Sequence, residues 1–212
     1  MLDSAYLRDV PLPDDLTTGQ ILTALEATQD FFKLIRTSSG IILSEIIQAN
    51  NFSGVVSNVF TKKLNDVSPY KSYHDQRYPD LMHESKEIGL EVKASNKPLK
   101  GGEGHNGHSG WHIVVCYTLL DKGDIEFIHV EIANLIGYEL PNADWKYLGS
   151  KRNKNNSQRT ETYITTNVGT AKLRDGSVYL NPNYVNITPS LKSNRKNIEH
   201  ELPIPSYSPF IG

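Results

Sequence analysis

The chain has little cysteine, no long apolar run and almost no net charge. Its one cysteine, Cys116, excludes an internal disulfide framework in these 212 residues. Cys116 lies in the apolar run IVVCY, which favours a buried thiol in a reducing compartment. No apolar run approaches the roughly 18 residues of a membrane-spanning helix. The first residues are acidic and lack the pattern of a signal peptide. These absences predict a cytoplasmic protein.

The charge balance limits how the protein could bind nucleic acid. A formal net charge of −2 argues against a protein that coats nucleic acid without specificity, because such proteins are usually basic. A local basic surface remains compatible with DNA binding. With 38% hydrophobic residues the chain can bury a sizeable core. Its length allows one large or two small domains, and because the sequence shows no convincing boundary, we expect a single domain over residues 1–212.

The order of patterns along the chain predicts the fold class. Apolar spacing indicates helices over residues 21–39, from Ser39 to about Asn50, and over 52–66. Strand patterns follow at 77–83, 86–95, 111–120, 125–136, 161–168 and 177–182. Helices followed by strands predict a mixed α/β (α+β) fold around one central sheet. We expect a mainly helical part (1–66), a sheet core (67–140), and a last part (141–212) of loops, short strands and a C-terminal arm from Pro203.

One strand carries a glutamate and a lysine within an apolar run. Residues two apart in a strand share a face, so Glu91 and Lys93 project together from KEIGLEVKAS. If the preceding strand forms a hairpin with it, Asp80 lies beside Glu91. Two carboxylates and the backbone carbonyl of Val92 would suit a hard cation such as Mg²⁺, and a lysine beside it could orient a water. The alternative is an exposed cross-strand ion pair.

This stretch resembles the PD-(D/E)xK nuclease superfamily. The resemblance lies in Pro79-Asp80, ten further residues and then Glu91-Val92-Lys93. The continuation, KASN with a glycine- and histidine-rich loop, is similar to type II restriction endonucleases. The resemblance implies a mixed central sheet flanked by helices and a homodimer. It also implies a Mg²⁺-dependent cut that leaves 5′-phosphates, with Mn²⁺ able to substitute. Asp80 and Glu91, with the carbonyl of Val92, would hold the metal, and Lys93 would orient the water.

Glu45 is a further candidate for the catalytic site. It lies among isoleucines on the second predicted helix, where Ile41 shares its face. Many members of the resembled superfamily place an acidic residue on an early helix close to the metal. The alternative is a solvent-facing glutamate at the margin of an amphipathic helix.

The segment after Lys93 is predicted to contact DNA. Its lysines carry positive charge, and its histidines lie on a glycine-rich loop that could reach phosphates or base edges. The candidates are Ser95, Asn96, Lys97, Lys100, His105, His108 and His112. Two alternatives remain: a packed strand residue for His112 with a solvated loop for the other two histidines, or a zinc hydrolase that uses all three histidines.

A second predicted DNA contact is the basic, amide-rich stretch between Lys146 and Arg159. Lysine and arginine neutralise phosphates, while asparagine and arginine can also read base edges. The candidates are Lys151, Arg152, Asn153, Lys154, Asn155 and Arg159. Residues 191–197, LKSNRKN, form a similar cluster. The alternative for either cluster is a solvated surface loop.

The sequence therefore favours a type II restriction endonuclease. It would bind a short palindromic site in double-stranded DNA as a two-fold dimer and cut both strands. A cognate methyltransferase would protect host DNA rather than bind the nuclease. One alternative is a repair nuclease or junction resolvase of the same superfamily, which would prefer DNA structure over sequence. Another is a non-catalytic DNA-binding module.

Overall fold

The protein has a mixed α+β fold with a central six-stranded mixed sheet. The computed structural model describes residues 2–73, 78–104, 107–150 and 161–211. Within them lie five α-helices: α1 (Thr18–Ser39), α2 (Leu43–Ile46), α3 (Ala49–Val67), α4 (Asn167–Asp175) and α5 (Pro189–Lys196). None of these described helices is long and apolar enough to cross a membrane.

Nine strands form two sheets in the described part of the chain. They are β1 (Tyr70–Lys71), β2 (Leu81–His83), β3 (Gly89–Ser95), β4 (Glu103–Gly104), β5 (Gly110–Leu119), β6 (Ile125–Leu135), β7 (Trp145–Gly149), β8 (Thr162–Thr165) and β9 (Ser177–Leu180). The central sheet has the order β1-β2-β3-β5-β6-β9, in which β3 and β5 are parallel and the other neighbours antiparallel. A smaller antiparallel sheet has the order β4-β8-β7.

Each face of the central sheet is covered by its own hydrophobic cluster. On one face, apolar side chains of α1 and α3, such as Leu25 and Phe60, pack against Leu90 and Val92 of β3. On the other face, Val114 of β5 packs in a cluster with residues from α4 and the smaller sheet, among them Trp145. Because side chains alternate along a strand, Glu91 and Lys93 project toward this second face.

The first helix is defined by residues at its two ends. Thr17 and Gln20 form a reciprocal capping box: Thr17 Oγ1 accepts from the Gln20 N–H at 3.2 Å, and Gln20 Oε1 accepts from the Thr17 N–H at 2.9 Å. Gly40 ends the helix with a left-handed φ of 72°, a conformation that glycine adopts without steric strain.

The predicted helix from Ser39 to about Asn50 is wrong. After Gly40 only the four residues of α2 are helical, and Ile47 has extended backbone angles before α3 begins at Ala49. β-Branched isoleucines lose side-chain freedom in a helix, and Ile41, Ile42 and Ile47 lie outside α2.

Two helices in the last part of the chain were not predicted. The strand predicted over 161–168 ends at Thr165, because the Thr166 hydroxyl accepts from the Gly169 N–H at 3.1 Å and caps α4. Thr188 caps α5 in the same way, with Pro189 in its first turn. The basic cluster at 191–197 therefore lies largely on a helix rather than a loop.

A buried ion pair connects α4 and α5 to the C-terminal tail. Arg195 and Asp175 are each about 97% buried in their side chains and pair at 2.8 Å. Ser208 donates to Asp175 at 2.7 Å, and Arg195 also donates to the carbonyl of Leu202 at 2.8 Å. The Arg195 guanidinium is therefore held by contacts within the protein and is not positioned to bind a ligand.

The N-terminal segment lies along the outer edge of β9. Leu7 forms an antiparallel bridge with Tyr179, and the Arg8 N–H donates to the carbonyl of Val178 at 2.9 Å. The Arg8 guanidinium also donates to the carbonyl of Tyr207 at 2.8 Å. The residues near both ends of the chain thus contact each other beside the central sheet.

Candidate active site

The hairpin of β2 and β3 brings Asp80, Glu91 and Lys93 together. Leu81 pairs with Leu90, so Asp80 lies just before β2 and beside the next residues of β3. Asp80 Oδ2 accepts from the Val92 N–H at 2.8 Å, and the Asp80 N–H donates to Glu91 Oε2 at 3.3 Å. Lys93 Nζ donates to Glu91 Oε1. The predicted hairpin is confirmed, and the three side chains form one connected group.

A glycine allows the segment before Asp80 to approach β3 closely. A Cβ atom at Gly89 would lie 2.3 Å from Cγ of Pro79, so any larger residue would push the proline away. Pro79 directly precedes Asp80 in the chain. The contact between Gly89 and Pro79 therefore helps to hold Asp80 against the strand that carries Glu91 and Lys93.

The group carries more negative than positive charge in a largely buried place. Glu91 is only 4% exposed, whereas the Lys93 side chain is 32% exposed. Burial and the Glu91 charge raise the pKa of Asp80, against the opposing effects of the Val92 N–H and Lys93. Burial, together with the charges of Glu91 and Asp80, also raises the pKa of the nearby Tyr78 to about 12. A buried glutamate is not the exposed ion pair of the alternative interpretation.

The carbonyl of Val92 is directed to the same edge of β3 as Asp80. The N–H and C=O of one strand residue point to the same side, and the N–H of Val92 reaches Asp80. The Ser57 hydroxyl of α3 donates to the Val92 carbonyl at 3.2 Å. A carbonyl oxygen has two lone pairs, so this bond leaves capacity for one further partner. Ser57 belongs to no sequence motif that would have identified it.

These residues form a donor set that fits Mg²⁺. Two carboxylates and one carbonyl are hard oxygen ligands, and Mg²⁺ in proteins keeps several waters or takes phosphate oxygens for its other positions. No group of three or more His, Cys, Asp or Glu suited to a metal occurs among the described residues. A cation held by Asp80, Glu91 and the Val92 carbonyl would have further coordination positions open to water or phosphate oxygens.

A cleft of about 540 Å³ opens over this group. Asp80 and Lys93 line it at the sheet. One wall is the N-terminal half of α3. The other is the end of β3 and the chain just after it, with three of the predicted DNA contacts, Ser95, Asn96 and Lys100. Thr162, the first residue of β8, also lines the cleft.

The other predicted site residues lie in different surroundings. Glu45 is exposed on α2 and does not line the cleft. Lys97 is exposed in the turn after β3, where its carbonyl accepts from the Ser95 hydroxyl at 3.2 Å. His108 is exposed, and its ring lies 4.5 Å from that of Tyr78. Outside the described residues lie His105, Lys151, Arg152, Asn153, Lys154, Asn155 and Arg159.

His112 is packed rather than exposed. It is 2% exposed, contacts the ring of Trp145 at 5.2 Å, and its Nδ1 lies 2.9 Å from the carbonyl of Gly110. Burial lowers its pKa to about 4, so the ring is neutral at neutral pH. His112 is therefore a packed strand residue, as the alternative interpretation has it. The predicted contact with DNA would require the His112 side chain to become exposed.

A second pair of buried ionisable residues lies on the same face, on β6. Val114 is paired with both Lys93 and Glu131, which places Glu131 two strands from Lys93. Burial raises the pKa of Glu131 to about 8 and lowers that of His129 to about 3. Both side chains are therefore neutral at neutral pH. The 3.8 Å between His129 Nδ1 and Glu131 Oε1 is too long for a hydrogen bond.

No protein family, curated protein or solved structure matches this chain, so the geometry of the site carries the functional argument.

Proposed function

We propose that the protein is a Mg²⁺-dependent endodeoxyribonuclease of the type II restriction kind. The observation that carries the proposal is the connected group of Asp80, Glu91 and Lys93 on the edge of a β-hairpin, open to a cleft. The proposed enzyme cuts both strands of a short palindromic site as a homodimer and leaves 5′-phosphates. The six-stranded mixed sheet with helices packed against it agrees with the restriction-endonuclease-like fold that we propose for the chain.

Each residue of the group has a defined part in the proposed reaction. Asp80, Glu91 and the Val92 carbonyl would hold Mg²⁺, and a bound Mg²⁺ would supply a polarised water and stabilise charge on the phosphate oxygens. Lys93 reaches the same place with a positive charge and three N–H donors, so it orients the attacking water and stabilises the developing negative charge. Attack of this water at phosphorus would release one proton to solvent and break the bond to the 3′-oxygen. The 3′-oxygen would take up a proton and leave as a hydroxyl, and the other product would carry a 5′-phosphate.

The position of the cleft supports DNA as the substrate. Its lining includes two lysines and one carboxylate, together with hydroxyl and amide groups suited to phosphate contacts. The basic stretch 151–160 follows β7 and precedes β8, and Thr162 at the start of β8 lines the cleft. The chain with most of the clustered positive charge therefore connects to the cleft margin.

Digestion of several plasmids of known sequence tests the proposal. Purified wild-type protein is expected to give discrete bands with Mg²⁺ or Mn²⁺ and none with EDTA. Lys93→Ala is expected to give none under any condition. Lys62→Ala is a matched control, because Lys62 is exposed on α3 and its ion pair with Asp66 does not involve the site.

The same assay separates the competing functions. Preference for branched or mismatched DNA, with no discrete plasmid bands, would indicate a repair nuclease or junction resolvase. DNA binding without cleavage, unchanged in Lys93→Ala, would indicate a non-catalytic binding module. A protein that neither binds nor cleaves DNA in this assay would refute the proposal.

A further inference from the structure

Gly54 is a glycine that the protein's own packing does not explain. It is the sixth of the 19 residues of α3, so it lies in the helix interior, where glycine is the least favourable residue after proline. Apart from its chain neighbours and the backbone of its own helix, no described atom lies within 4 Å of a Cβ atom built there, and its φ is not in the left-handed region. Neither a close contact within the fold nor the backbone conformation therefore requires glycine at this position.

Gly54 faces the cleft that holds the candidate active site. It lines the cleft together with Ser57 and Asn58, which lie one helical turn away on the same side of α3. The hydroxyl of Ser57 bonds to the carbonyl of Val92, so this side of the helix is held directly against the site. A side chain at position 54 would enter the cleft that Asp80 and Lys93 also line.

We infer that Gly54 is a substrate-positioning residue, at which the sugar–phosphate backbone next to the scissile phosphate packs against α3. This inference rests on the proposed nuclease function and adds the place where the polymer lies. A glycine lets a ligand backbone come close to the helix, and Asn58 one turn away offers an amide N–H donor rather than a carboxylate. Such a wall suits a polyanion and repels none of its phosphates.

Two substitutions of graded size test the inference. Gly54→Ala adds one methyl group, and Gly54→Leu extends a side chain into the cleft. Both residues favour helix more than glycine does, so neither variant is expected to melt below the wild type. Thr23→Leu is the matched control, because Thr23 is exposed on α1 and does not line the cleft.

Three quantities are measured. They are the Kd, in EDTA, for an intact duplex that the wild type cleaves, the rate of cleavage of that duplex in Mg²⁺, and Mn²⁺ binding by calorimetry. Gly54→Leu is expected to raise Kd and to lower kcat/KM by tenfold or more, with Gly54→Ala between it and the wild type. Mn²⁺ binding should stay unchanged in both variants, whereas Glu91→Ala should lose it. That last comparison separates blocked substrate from a damaged metal site.

The outcomes distinguish this inference from the proposed function. A wild type that neither binds nor cuts DNA refutes the nuclease proposal, and the inference with it. A wild type that cuts, with Gly54→Leu equal to it in Kd and kcat/KM, refutes only the inference. Loss of Mn²⁺ binding in Gly54→Leu would also refute it, because the residue would then act on the metal site.

Discussion

Replacing Asp80 by asparagine is expected to make the metal-free protein more stable while removing its activity. In the wild type, burial and the neighbouring Glu91 charge raise the pKa of Asp80, so the folded protein holds this carboxylate at a free-energy penalty. The amide removes the charge. Its oxygen can still accept the bond from the Val92 N–H that Asp80 Oδ2 accepts at 2.8 Å. The substitution therefore relieves repulsion and retains the hydrogen bond.

The expected gain is about 1 kcal/mol, within the range of about 0.5–2 kcal/mol that single stabilising substitutions commonly give. For a chain of 212 residues this corresponds to a rise in Tm of about 2–4 °C. Mg²⁺ should reverse the order of the two proteins. A ligand at 100 times its Kd stabilises the folded state by about 2.7 kcal/mol, and the wild type alone has both carboxylates to bind it.

The pH dependence of the difference follows from the direction of the pKa shift. An acid whose pKa is raised by folding contributes stability at low pH that is lost as the pH rises through the raised value. The penalty on Asp80 is therefore complete only above its raised pKa and disappears as the pH falls toward its ordinary pKa of 3.8. The stability advantage of Asp80→Asn should shrink as the pH falls.

Thermal unfolding followed by circular dichroism, with EDTA and with saturating Mg²⁺, measures these effects. Asp9→Asn serves as the control, because Asp9 is exposed, and it should change neither curve. A lower Tm for Asp80→Asn in EDTA would show that Asp80 and Glu91 do not repel each other in the folded protein. Equal Mg²⁺ shifts in the wild type and the variant would show that Asp80 does not hold the metal.

Three further predictions concern stability away from the site. The free energy of unfolding of Glu131→Gln, measured with urea, should increase relative to the wild type by on the order of 3–5 kcal/mol as the pH rises from about 5 to 9. The reason is that folding raises the pKa of Glu131 from 4.5 to about 8. A difference between the two proteins that does not change with pH would contradict this. Arg195→Met should lose about 3–5 kcal/mol in the same assay, because Asp175 stays buried without its cation, and adding Asp175→Leu should restore part of the loss. Gly176→Ala should lose about 1–3 kcal/mol, because its Cβ would lie 1.9 Å from the carbonyl oxygen of Ile132; wild-type stability would show that this contact relaxes freely.

The hairpin at the site could be predicted because its information is local. Alternation along one strand places Glu91 and Lys93 on one face, and a short connection places Asp80 opposite them. The position of Ser57 could not be predicted in the same way. It depends on how α3 is rotated against the sheet, and that rotation is set by packing between residues distant in sequence.

The burial of His112 also depends on long-range packing. The sequence pattern, a histidine on a strand after a glycine-rich loop, predicts an accessible side chain. In the structure, Trp145 of the smaller sheet packs against His112. The sequence next to His112 does not indicate that Trp145, which is distant along the chain, will pack against it. In contrast, α4 and α5 had local signals, since Thr166 and Thr188 are capping residues and Pro189 is common in a first helical turn. The strand-like run before Thr166 outweighed the first of them.

The N-terminal segment along β9 affects how copies of the chain can associate. An open sheet edge is a template on which a neighbouring molecule can add a strand. Leu7 and Arg8 already bond to Tyr179 and Val178 on this edge, so an incoming strand would first have to displace them. At the opposite edge β1 has only two residues. Addition of a strand from another molecule to the central sheet is therefore disfavoured, which leaves this sheet free to hold the site rigidly.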